Sequence, residues 1–142
     1  MTASERAAVR ELIAKHEGYK KHPYRCSAGK LTIGCGRNLD DVGLDAEEAR
    51  FLLDRDITRC LDHLAQFAWF EGLDRVRQRA LIDMRFQLGR EGFQGFVKTL
   101  AALESRNYEQ AAAHMLDSKW ARQDTPARAR DIADMIRSGR EG

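Results

Sequence analysis

The chain has 142 residues, 43% hydrophobic and 32% charged, with a formal net charge of +2. That size and balance describe one ordinary globular domain, long enough to bury a core. Basic and acidic residues interleave in both halves, which argues against a nucleic-acid binder relying on a dominant basic face.

Thr2-Ala3-Ser4-Glu5 is a capping-box pattern. It opens a helix with Val9, Leu12 and Ile13 on one face and Arg6, Arg10 and Lys15 off it. Charged residues interrupt every apolar run between Met1 and Lys15, so no signal peptide, anchor or transmembrane helix is expected. The helix should stop at His16-Glu17, ahead of Gly18. Glu17 then sits at the C-terminal, negative end of the helix dipole.

The helical period is lost after that point. Pro23 bars helix for the residue before it. Ser27-Ala28-Gly29-Lys30 reads as a turn joining Tyr24-Arg25-Cys26 to Leu31-Thr32-Ile33 in a small β-hairpin. Arg37 to Gly43 reads as a polar loop. Asp45 and Glu48 form a second capping box, and Ala49, Leu53, Ile57, Cys60, Leu61 and Leu64 keep helical spacing to about Phe67.

A helix is expected from Asp74 to Leu88, with Val76, Ala80, Leu81 and Met84 on its buried side and Gly89 at its end. Phe93 and Phe96 open an apolar helix through Leu100 and Leu103. Asn107 caps a short helix containing Ala111 to Leu116, with Gln110 in the box position. Thr125-Pro126 starts the last helix as N-cap and first helical residue, and Gly139 follows its end. There are no internal repeats and no interdomain linker.

Of the three cysteines, Cys60 lies on an apolar stripe and reads as core filler. Cys35 carries no assignable role. With Cys26 they form neither a disulfide framework nor a metal-ligand spacing, so no metal and no cofactor is implied, and a reducing compartment suits them.

Glu17, Cys26 and Thr32 stand in and around the hairpin, with eight residues between the first two and five between the last two. Singly, each has an ordinary explanation: a solvated charge, a small hydrophobe and a β-former. Together, and followed by Ile33-Gly34-Cys35-Gly36, they are more specific. This spacing, with Gly18, Tyr24 and Gly29 also in register, resembles the phage-type (T4-like) lysozymes, the muramidase endolysins. The resemblance extends over Phe86-Gln87-Leu88-Gly89, Gly92 to Phe96, Ser118-Lys119-Trp120 and Thr125-Pro126-Ala127-Arg128-Ala129, with one extra residue near Asp124.

The resemblance implies an α+β but mostly helical fold, a single lysozyme-like domain over 1–142. A hairpin lobe (about 17–50) and a helical lobe (about 68–142, plus the N-terminal helix) would be joined by a long helix (about 45–67), with substrate between the lobes. It implies hydrolysis of the β-1,4 bond between N-acetylmuramic acid and N-acetylglucosamine in bacterial peptidoglycan. Glu17 would be the acid that protonates the leaving oxygen and Thr32 the partner of the attacking water. Cys26 stands where many members carry Asp. Two routes are open to it: activating water, or forming a covalent glycosyl intermediate. Arg128 would orient Glu17, and Gln87, Trp120, Phe86, Thr99, His114 and Asn38 fall at cleft-lining positions. Arg37 replaces a common histidine, which leaves the local ion pair open.

The resemblance further implies a monomer that binds no nucleic acid and inserts into no membrane. It would stay in the host cytoplasm until a separate holin-type route lets it reach the wall in the periplasm. A lysozyme used at phage entry and a weakly active peptidoglycan-binding relative are the rival readings.

Overall fold

The computed structural model describes residues 1–141. The fold is α+β and mostly helical: the described residues form six α-helices, two short helical turns and one small antiparallel sheet. It divides into two compact units, Met1–Phe51 and Leu52–Gly142.

In the first unit, helix α1 (Ala3–Glu17) starts on the expected box. The Thr2 hydroxyl accepts from Glu5 N–H at 3.2 Å, and Glu5 Oε2 accepts from Thr2 N–H at 2.6 Å. It ends at Gly18, whose N–H reaches Ala14 O at 2.8 Å. The sheet runs in the order β1 (Lys20–Arg25), β2 (Leu31–Gly34), β3 (Arg37–Asn38). Pro23 is tolerated because β1 is an edge strand, and the pairing is irregular between Lys20 and Tyr24. Two details differ from the sequence reading. Cys26 lies just past β1 and opens the turn, where its N–H bonds Lys30 O at 3.0 Å. Arg37-Asn38, read as loop, pairs with Ile33 and Thr32 as a third strand too short to show a period of its own.

Helix α2 (Ala46–Leu64) begins with the reciprocal Asp45–Glu48 box, at 2.8 and 3.2 Å, and stops three residues short of Phe67. Its apolar stripe is buried only toward its end, at Cys60 and Leu64, whereas Leu53 and Leu61 are 45% and 40% exposed.

In the second unit, helix α3 (Arg75–Gln94) is capped by Asp74, whose carboxylate accepts from Arg77 N–H at 3.0 Å. Gly89 interrupts it with φ 74° and ψ 173°, a backbone region that glycine alone enters readily. One further turn follows, so Phe93 belongs to this segment and Phe96 precedes helix α4 (Val97–Glu104). Helix α5 (Tyr108–Leu116) is capped by Asn107, and helix α6 (Pro126–Ser138) ends at Gly139. Between them Trp120–Asp124 forms a π turn closed by Thr125 N–H to Trp120 O at 3.0 Å. Leu64, Phe70, Leu81, Met84, Phe93, Leu103, Met115, Ile132 and Ile136 form the core of this unit.

Three polar side chains, His63, Gln78 and Thr99, are buried in this unit, and His63 is the titratable one. His63 is 3% exposed and packs edge-on against Phe67 and Phe93. Arg85 Nε donates to His63 Nδ1 at 2.7 Å, so the ring is neutral with its proton on Nε2, an atom left without a partner among the described residues. Burial, and then the Arg85 and Arg90 charges, hold His63 below its usual range. The unfolded chain therefore takes a proton at a pH where the folded ring does not. Stability contributed by the neutral ring is present above about pH 6.5 and declines as pH falls below it, until the folded ring titrates as well. Denaturant midpoints measured between pH 7 and 5 should fall in the wild type. They should fall less in His63→Gln, which can still accept from Arg85; equal slopes would refute the assignment.

Candidate active site

Glu17 closes α1, and its side chain turns onto the tip of the second hairpin. An added Cβ at Gly36 would come within 2.8 Å of Glu17 Cδ and Oε2, so the carboxyl stands directly against that glycine. Gly36 lies between β2 and β3, which ties the helix end to the strand that carries Thr32.

Cys26 is half-buried at the first turn. Hydrogen bonds from the backbone N–H of Lys30, then of Ala28, hold its thiol below the usual range. Partial burial opposes them, and the Thr32 hydroxyl adds to them. The Ser27–Lys30 turn is closed by Gly29 N–H to Cys26 O at 2.8 Å and Cys26 N–H to Lys30 O at 3.0 Å. A sulfur met by several donors is favoured as thiolate, the form that acts as base or nucleophile.

Thr32 sits in the central strand, opposite Tyr24 on one side and Asn38 on the other, and is 4% exposed. Its hydroxyl donates to Lys30 O at 2.9 Å. Asp40 ties the frame together by accepting Leu31 N–H at 2.7 Å.

Asn38 is engaged in its own turn, accepting Asp41 N–H at 3.0 Å and donating to the Asp41 carboxylate at 2.9 Å. Arg37 grips Glu48 through two nitrogens, at 3.1 and 2.6 Å.

The remaining sequence candidates lie in the second unit. Gln87 joins Trp120 to the start of α6: it donates to the Thr125 hydroxyl at 2.8 Å and accepts from Trp120 Nε1 at 3.0 Å. Thr125 therefore gives its side chain to Gln87 and makes no side-chain cap on α6, contrary to the sequence reading. Trp120 is 3% exposed and stands edge-on to Phe96. Thr99, His114 and Trp120 share the wall of a cavity of about 600 Å³, together with Phe96, Ser118 and Asp124. Thr99 Oγ1 is buried there without a partner among the described residues. Phe86 is 43% exposed and does not line it. Arg128 Nε donates to Asp83 at 2.8 Å, with a second contact from the same guanidinium.

Sequence reasoning missed Gly36 beside Glu17, the Lys30 and Ala28 N–H groups, and Asp83. Backbone donors leave no residue-type signal, and only the paired glycines at 34 and 36 hinted at a close approach. No group of acidic, histidine and cysteine residues among the described residues could hold a metal ion. No helix among them is long and apolar enough to cross a membrane.

The chain matches the family model described as phage lysozyme over residues 14–132, which takes in every candidate from Glu17 to Arg128. Two relatives from Dictyostelium discoideum, "Probable T4-type lysozyme 1" and "Probable T4-type lysozyme 2", are 24% and 23% identical to it. Each alignment covers 94% of this chain and 95% of the relative. With a match across that much of its length, the chain belongs to the phage lysozyme family.

Proposed function

We propose that this protein is a muramidase that cleaves the β-1,4 bond between N-acetylmuramic acid and N-acetylglucosamine in bacterial peptidoglycan. The observation that carries the reading is that Glu17, Cys26 and Thr32 lie in one compact unit of a chain that matches the phage lysozyme model over residues 14–132. Glu17 is assigned as the acid for the leaving oxygen. Cys26, as thiolate, accepts a proton from the attacking water, and Thr32 aligns that water and the sulfur. Identification of the reducing-end sugars released from purified peptidoglycan tests the bond assignment. New reducing muramic acid supports it; new reducing glucosamine refutes it.

The physiological role assigned is that of an endolysin, a monomer held in the host cytoplasm and released to the wall by a separate holin-type protein. Expression inside bacteria should therefore cause lysis only when the inner membrane is permeabilised. Lysis without permeabilisation would overturn the export part of the proposal.

Thr32 gives a further expected result. Thr32→Val keeps β-branching but removes the hydroxyl, so activity should fall about 10-fold or more if proton handling is impaired. The pH at which Cys26 reacts with iodoacetamide should rise, because a donor to the thiolate is lost. Thr32→Ser should retain part of both properties. Equal rates for the Val and Ser variants at matched stability would count against the role.

A further inference from the structure

We infer that Gly36 is a positioning residue for Glu17: the missing side chain at 36 makes the room in which the carboxyl stands. The inference rests on the reading of Glu17 as the acid. A Cβ there would lie 2.8 Å from Glu17 Cδ, 2.8 Å from Oε2 and 3.0 Å from Cγ. The first two separations are shorter than side chains tolerate, and the third is tighter than most. All three atoms belong to the far end of one flexible side chain, and no backbone atom is among the nearest neighbours. What must yield to a methyl group is therefore the carboxyl, not the hairpin.

Gly34 provides an internal comparison. Both glycines have left-handed backbone, with φ 68° at Gly34 and 81° at Gly36, so alanine meets the same kind of backbone penalty at either position. Yet a Cβ at Gly34 meets nothing within 4 Å. The two glycines of Ile33-Gly34-Cys35-Gly36 thus have different tasks. Gly34 serves the turn alone, whereas Gly36 serves the turn and also sets where the carboxyl lies. A general acid has to stand within hydrogen-bond reach of the atom it protonates. Displacing it acts on the chemical step and leaves sugar binding largely alone.

The test compares Gly36→Ala with Gly34→Ala, using soluble peptidoglycan fragments as substrate and Glu17→Gln as reference. Gly36→Ala should lose about 100-fold in kcat, the scale of a misplacement near 1 Å, with KM close to wild type. Gly34→Ala should lose far less. Independently of activity, the ¹³C resonance of the Glu17 carboxyl should move in Gly36→Ala and stay in place in Gly34→Ala. Equal kcat losses in the two folded variants, or an unmoved Glu17 resonance in folded Gly36→Ala, overturns the inference. If Gly34→Ala does not fold, the resonance in Gly36→Ala against wild type decides alone. Full activity in Glu17→Gln together with a moved resonance would refute the acid assignment while leaving the spatial relation supported.

Discussion

Glu17→Gln is expected to lower the rate of peptidoglycan hydrolysis by at least about 100-fold, the lower range for loss of a general acid. The amide matches the carboxyl in size, so it fits the room beside Gly36, but it has no proton to deliver to a leaving oxygen. Glu17 is exposed at the end of α1. Substitutions at such positions change stability by no more than about 0.5 kcal/mol, so the melting temperature should hardly move. Turbidity loss of outer-membrane-permeabilised bacteria, release of soluble fragments and thermal unfolding separate the two effects. Near-wild-type lysis by a correctly folded Glu17→Gln protein would sink the assignment.

The second large effect is expected at Cys26. The donors around its sulfur should let iodoacetamide react there at a lower pH than an ordinary thiol requires, because the thiolate is the reacting species. Alkylation should abolish lysis. An adduct can also obstruct substrate, so substitutions decide the matter. Cys26→Asp should keep substantial activity, since a carboxylate can accept the water's proton and can use the same N–H donors. Cys26→Ser should lose about 100-fold or more, since a hydroxyl is not ionised near neutrality. A Ser variant that lyses cells like wild type would falsify the functional claim. Loss of activity in both variants would move covalent catalysis by sulfur ahead of the water route, with mass spectrometry of a trapped glycosyl adduct as the next measurement. The other cysteines serve as controls. Cys60 is 2% exposed and burial raises its thiol above the usual range, so it should resist alkylation until the protein unfolds. Cys35 is exposed and should react, yet Cys35→Ser should leave the chemistry intact.

Some features of this protein are determined by short stretches of sequence, because the forces involved act over one or two helical turns. The boxes at Thr2–Glu5 and Asp45–Glu48, the stop at Gly18, the break at Gly89 and the end at Gly139 are all of that kind. Each requires only a residue type at a fixed offset from a helix end. The mostly helical fold and the membership of the phage lysozyme family were likewise legible, since glycines and reactive residues keep a fixed spacing along the chain.

Other features were decided only by tertiary structure. Arg85 against His63, Arg128 against Asp83 and Gln87 between Trp120 and Thr125 join residues 22 to 45 positions apart. Periodicity reports which face of a helix meets a core, but not which polar atom lies within 3 Å of another. The third strand escaped because two residues cannot display a period. At the candidate site, Glu17, Cys26 and Thr32 were visible as side chains, whereas their surroundings were not. The N–H groups that lower the Cys26 thiol belong to Lys30 and Ala28, whose side chains are irrelevant to the contact. Likewise, Gly36 acts on Glu17 through an atom it does not have. Donors common to nearly every residue, and space left by glycine, become specific only when the folded backbone aims them.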